Sequence, residues 1–119
     1  MKRVNQNWSP ERIKSFCEET DDWVLELDDG LGPEEIKALY ARQVASHGCY
    51  EGLVAEVAGD ARTPEPVLRD IARRFQASTE ILASLATNLA TPTDVLDTLL
   101  GHTHPMVVEH ARALRRQRG

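Results

Sequence analysis

Thr91-Pro92-Thr93-Asp94-Val95-Leu96-Asp97-Thr98-Leu99-Leu100 is a helix opening followed by two amphipathic turns, and the chain carries related versions upstream. Thr63-Pro64-Glu65-Pro66-Val67-Leu68-Arg69-Asp70-Ile71-Ala72 lies 28 residues earlier. Gly32-Pro33-Glu34-Glu35-Ile36-Lys37-Ala38-Leu39-Tyr40-Ala41 lies 31 before that. Recurrence at such a spacing marks a supersecondary unit copied along a chain.

Setting 51–78 on 79–106 makes the correspondence explicit. Ala55, Ala58, Thr63, Pro64, Val67 and Leu68 meet Ala83, Ala86, Thr91, Pro92, Val95 and Leu96 unchanged. Leu53/Ile81, Val54/Leu82, Val57/Leu85 and Ile71/Leu99 are swaps within one class. In each segment the apolar residues fall at i, i+1 and i+4, then again after the Thr-Pro pair, which predicts two short amphipathic helices. Residues 22–48 repeat the frame more faintly, with Val24, Glu26 and Leu27 echoing Val54, Glu56 and Val57. Two short helices do not bury enough apolar surface to offset the entropy of ordering them, so neighbouring pairs must cover one another.

The flanks are read the same way. Residues 1–8 are polar and expected to be frayed or loosely docked. Ser9-Pro10-Glu11 is a helix start, with Ser9 as cap and Pro10 at the first helical position. Ile13, Phe16 and Cys17 then give that helix a narrow apolar stripe. Trp23-Val24-Leu25-Glu26-Leu27 reads as a short helix ended by Gly30. Thr63-Pro64 and Thr91-Pro92 read as helix starts, the second with Asp94 in the place of a capping box, and Thr79 reads as a further cap. Gly101 stops one helix, and the last runs from Val107 to Gln117. The expected organisation is one domain: a cap helix over 9–20, units over 22–48, 51–78 and 79–106, and a capping helix over 107–119.

The totals agree with a helical reading. The 119 residues are 41% hydrophobic but only 5% aromatic, so the core must be aliphatic. The net charge of −5 is uneven, with 6 basic and 13 acidic residues in 1–60 against 8 and 6 in 61–119. Such asymmetry steers charged partners. The start of the chain lacks an apolar leader segment and no run reaches the ~18 apolar residues of a membrane helix, so a cytoplasmic protein with reduced Cys17 and Cys49 is expected.

The phrase Leu82-Ala83-Ser84-Leu85-Ala86-Thr87-Asn88-Leu89-Ala90-Thr91-Pro92-Thr93-Asp94-Val95-Leu96 resembles the leucine-rich repeat variant of bacteria. Those repeats run as a short helix, an Asn-x-x-Thr-Pro turn and a second helix. The wider resemblance is to HEAT-like α-solenoids. It covers 50–112 and more weakly 22–48, with Asp60 standing where the turn has Asn. The spacing here is a few residues longer than the family's usual unit, and two lone cysteines do not supply the iron–sulfur cluster of one family architecture. The resemblance implies an all-α solenoid of about three stacked helical pairs that serves as a binding module.

Several residue groups carry potential chemistry. His102, His104 and His110, with His47 and Cys49, are metal-ligand types, but none pair at an i, i+4 helical interval. The seven acidic residues from Glu18 to Asp29, among them Asp21, Asp22, Asp28 and Asp29, lack the order of a calcium loop and suit a basic protein or a solvated edge. Arg69, Arg73 and Arg74 form one basic group and Arg112, Arg115, Arg116 and Arg118 another. They suit phosphates, or helix C-termini and a polar outer face. Trp8 is the candidate surface anchor, while Trp23 is expected in the core. Nucleophile motifs, phosphate loops and dinucleotide fingerprints are absent. The expectation is a non-catalytic protein-binding module without cofactor or metal, contacting its partner through Trp8, the aspartates and the arginines. A nucleic-acid-binding solenoid using the Arg-rich half is the alternative.

Overall fold

The computed structural model describes residues 3–5, 7–20, 25–45 and 50–118. Among them the fold is all-α, with seven helices: α1 (Pro10–Thr20), α2 (Pro33–Val44), α3 (Glu51–Gly59), α4 (Glu65–Arg74), α5 (Thr79–Thr87), α6 (Thr93–Leu100) and α7 (Pro105–Gln117). The molecule is elongated, 43 × 26 × 25 Å. Its core is aliphatic. The α3 residues Leu53, Val54 and Val57, the α5 residues Ile81, Leu82 and Leu85, and the α7 residues Val107, Ala111 and Leu114 are all buried. Helices α3, α5 and α7 pack in succession, α3 on α5 and α5 on α7, and α7 also lies along α6. Helices α4 and α6 scarcely approach each other.

The N-terminal segment departs from expectation. Arg3–Val4 (β1) pairs in parallel with Glu26–Leu27 (β2), Val4 opposite Leu27. Val4 is fully buried, so residues 3–5 are docked rather than frayed. The Trp23–Leu27 stretch was expected to be helical, yet Glu26 and Leu27 form the second strand. Alternation explains it, because Leu25 and Leu27 are buried while Glu26 is exposed, the period of an extended chain. Trp23, Asp21 and Asp22 lie outside the described residues. A buried Gln43 amide donates to the Trp8 carbonyl at 2.9 Å and ties this segment to α2.

Three turns, one after β2, one after α3 and one after α5, share one construction. Asp28 Oδ1 accepts from Gly30 N–H (2.9 Å), Asp60 Oδ1 from Arg62 N–H (2.8 Å) and Asn88 Oδ1 from Ala90 N–H (2.9 Å). In each, the next N–H, of Leu31, Thr63 and Thr91, returns to the carbonyl of that same Asp or Asn at 3.1 Å. These are Asx turns, in which a short side chain imitates the backbone. The Thr63 hydroxyl donates to the Val57 carbonyl (2.6 Å) and the Thr91 hydroxyl to the Leu85 carbonyl (2.7 Å).

Those two threonines therefore do not cap. Pro64 and Pro92 hold the extended N-cap positions without a side-chain bond, and the helices open at Glu65 and Thr93. The buried hydroxyls reach back to the end of the preceding helix instead, each adding a second hydrogen bond to a carbonyl that already accepts from the N–H of Asp60 or Asn88. Ser78, not Thr79, caps α5 by accepting from Ile81 N–H. Ser9 does cap α1, accepting from Arg12 N–H at 3.2 Å. The last helix opens at Pro105, two residues ahead of Val107, with His104 Nδ1 accepting from Met106 N–H.

Candidate functional site

Successive polar contacts cross from α2 to α4, α6 and α7. The Tyr40 hydroxyl of α2 donates to Asp70 of α4. Arg69 of α4 meets Asp94 of α6 through two bonds of 3.2 Å. Asp97 of α6 accepts from Arg115 Nε of α7 at 3.0 Å. Asp94 and Asp97 are three residues apart and so share one face of α6. These contacts run along the surface of α2, α4 and α6 and reach α7 where it meets α6. Grooves lie between these helices. The one between α2 and α4 is apolar, lined by Tyr40, Ala41, Val44, Pro66 and Val67, with Lys37 and Asp70. Ala72, Gln76 and Thr98 belong to two adjoining depressions between α4 and α6, rimmed by Arg69, Arg73 and His102. Between α6 and α7 a shallow groove of about 460 Å³ is lined by Leu100, Arg112, Arg115 and Arg116.

Most arginines of the two basic groups are matched with carboxylates on this face. Arg69 also reaches Glu65 at 3.3 Å. Arg73 and Arg74 both hold Asp70, Arg74 at 3.1 Å. Arg112 has only a loose contact to Glu109, 3.8 Å apart and exposed on both sides. Arg118 donates to the Leu89 carbonyl (2.8 Å) and to the Thr93 hydroxyl. Arg116 is exposed on α7. Burial alone would raise the Asp70 carboxyl, but hydrogen bonds from Tyr40, Arg73 and Arg74 outweigh it and hold the group below the usual range. Burial, then the Asp70 bond, pushes the Tyr40 hydroxyl well above the ordinary range, so it stays a donor.

The acidic end is partly structural. Asp28 shapes its own turn. Arg62 Nη1 donates to the carbonyls of Asp28, Asp29 and Leu31 at 2.9–3.1 Å. Its Nε and Nη2 grip Asp60 at 3.0 and 2.7 Å. The Arg62 bond holds the Asp60 carboxyl below its ordinary value. Glu56 moves the other way, raised first by burial and then by Glu26 and Asp60 nearby.

Trp8, expected as a surface anchor, is 7% exposed. Its ring meets Phe16 edge-on with centroids 5.2 Å apart, and Arg12 covers it at 4.3 Å. It closes the N-terminal end of the core, far from the arginines in sequence and role. Among the described residues no group of three His, Cys, Asp or Glu side chains is arranged to hold a metal. His102 Nδ1 and His104 Nδ1 each accept a backbone N–H nearby. Cys17 is buried, and Cys49 and His47 lie outside the described residues. No described helix is long and apolar enough to cross a membrane.

Nothing in the sequence marks Asp70, Asp97, Tyr40 or Leu100 as site residues, and Asp94 reads there only as a capping-box acid. Only the i, i+3 spacing of Asp94 and Asp97 hinted at a shared face; the pairing across helices is tertiary. Set against protein-family models, curated proteins and solved structures, the chain matches none.

Proposed function

We propose that this chain is a non-catalytic interaction module, a short α-solenoid of leucine-rich-variant or HEAT-like helical pairs that presents the α2, α4, α6 and α7 face to another protein. The observation that carries this reading is the matching of Arg69, Arg73, Arg74 and Arg115 with Asp94, Asp70 and Asp97 on the same face. A surface built to hold phosphates leaves its cations free to replace counterions. Here those four arginines are spent on neighbouring carboxylates, giving a mixed-charge, grooved surface of the kind that fits a protein. The equivalent turns at Asp28, Asp60 and Asn88 support the stacked arrangement, since each repeats the same bonds.

The test is site-specific photocrosslinking in the native cell. A crosslinker replacing Ala72 or Thr98 should capture a discrete protein, and one replacing Lys14 on α1 should not. Capture of nucleic acid from the face positions, or equal capture from Lys14, overturns the reading.

A further inference from the structure

The groove between α6 and α7 differs from its neighbours on the same face. Arg115 is fixed there by Asp97 at 3.0 Å. Arg112 and Arg116 stand one helical turn apart on α7, so both guanidinium groups serve one side of the helix. Arg112 has only the 3.8 Å contact to Glu109, with side chains 53% and 65% exposed. No carboxylate lies within salt-bridge distance of Arg116 among the described residues. Half-buried Leu100 lines the same groove and is its apolar residue. Two available guanidinium groups in a groove with an apolar residue match a carboxylate carried next to an apolar side chain. The planar fork binds carboxylates in pairs, and the leucine supplies an apolar contact.

We propose that this groove docks an acidic segment of a partner protein that carries a large apolar side chain beside its carboxylates. The proposal rests on the protein-binding reading above. A second copy of this chain is a poor occupant. Among the described residues of its own acid-rich stretch, Leu25 and Leu27 are buried, so these leucines are not offered beside the carboxylates. Nucleic acid is a poorer match to the groove, because phosphates bring no aliphatic group to cover Leu100.

The experiment measures fluorescence anisotropy of a labelled acidic hexapeptide with a central leucine and phenylalanine flanked by aspartates. The full chain should bind it, and the double variant R112E/R116E should weaken binding at least tenfold. K14E, on the remote face of α1, should bind as the parent does. Far-ultraviolet circular dichroism checks that the variants, altered only at exposed positions, keep their helix content. A peptide with serines in place of the leucine and phenylalanine should bind at least fivefold more weakly. Absence of binding by the parent chain, or equal binding by R112E/R116E or by the serine peptide, overturns the proposal. So does tighter binding of a single-stranded oligonucleotide at the same salt, or self-association in light scattering that R112E/R116E abolishes. Failure of the peptide alongside protein capture from Ala72 or Thr98 would remove the groove and leave the module.

Discussion

Arg62 and Asn88 perform one task with different chemistry: each reaches from its own turn to the backbone carbonyls of the turn before. Asn88 Nδ2 donates to the carbonyls of Ala58 and Asp60 at 2.8 and 2.9 Å while its Oδ1 shapes the turn. Asp60, at the equivalent place, has no N–H to give. It shapes its turn with Oδ1 and binds Arg62, and Arg62 supplies the donor to Asp28, Asp29 and Leu31. The two jobs that Asn88 does alone are thus divided at the earlier turn between Asp60 and Arg62.

Replacing Asn88 with Asp should cost more than replacing it with Ala. The carboxylate would face two carbonyls, and a buried acceptor left against acceptors loses on the order of 2–3 kcal/mol. Urea unfolding at pH 7 measures it, and the gap between the two variants should narrow as pH falls and the new carboxyl protonates. Equal midpoints for both variants would contradict the donor role.

Arg62→Ala should destabilise by about 1–3 kcal/mol, because three carbonyls and the Asp60 carboxylate lose one shared donor. Arg62→Lys should recover only part, since an ammonium lacks the fork that serves the carbonyls and Asp60 together. Thermal unfolding of the two variants side by side reads the order; a lysine variant equal to the parent would show that charge alone suffices.

Thr63→Val and Thr91→Val keep shape and remove the hydroxyl. Each should cost about 1 kcal/mol from the lost buried hydrogen bond, the carbonyl keeping its bond to the N–H of Asp60 or Asn88, while Thr→Ser at either site should cost less. Denaturant midpoints settle the comparison, and valine variants as stable as the parent would return these threonines to an incidental place in the turn.

The pH profile has a sign for each carboxyl. Asp60 and Asp70 have folded values held below the ordinary aspartate value. Their contribution is present above the unfolded value near ~3.9 and is lost as pH falls through the lower folded value. Glu56 is raised, so the fold penalises its charged form and Glu56→Gln should stabilise at neutral pH. That gain should vanish below the unfolded value near ~4.3. Urea midpoints from pH 2 to 7 for the parent, D60N, D70N and E56Q test all three; a Glu56→Gln effect unchanged at pH 3 would contradict the sign.

Trp8→Ala should cost about 3–5 kcal/mol as a large aromatic leaves the core. A surface anchor would show almost no change, so the urea midpoint of this one variant separates the two placements.

The helices were largely legible because periodicity is local: α1, α2, α5 and α6 lie within a residue or two of their sequence-read positions. What failed depended on contacts far along the chain. Val4 and Leu27 look like isolated apolar residues until they pair with each other, and Trp8 looks exposed until Phe16 and Gln43 meet it. The Thr-Pro signature was visible, but its use was misjudged, because a buried hydroxyl aimed backwards and a hydroxyl capping forwards have the same sequence. Likewise the arginines were conspicuous, whereas their neutralisation by Asp70, Asp94 and Asp97 exists only once α4, α6 and α7 lie side by side.

The near-absence of direct contact between α4 and α6 has a mechanical consequence. Helices α3, α5 and α7 adjoin along one side, while across the other α4 and α6 are strapped chiefly by the exposed Arg69–Asp94 pair. Exposed pairs of this kind are weak and screened by salt. At the surface, opening the space between these two helices therefore breaks little beyond that screened pair, so raised ionic strength should ease it.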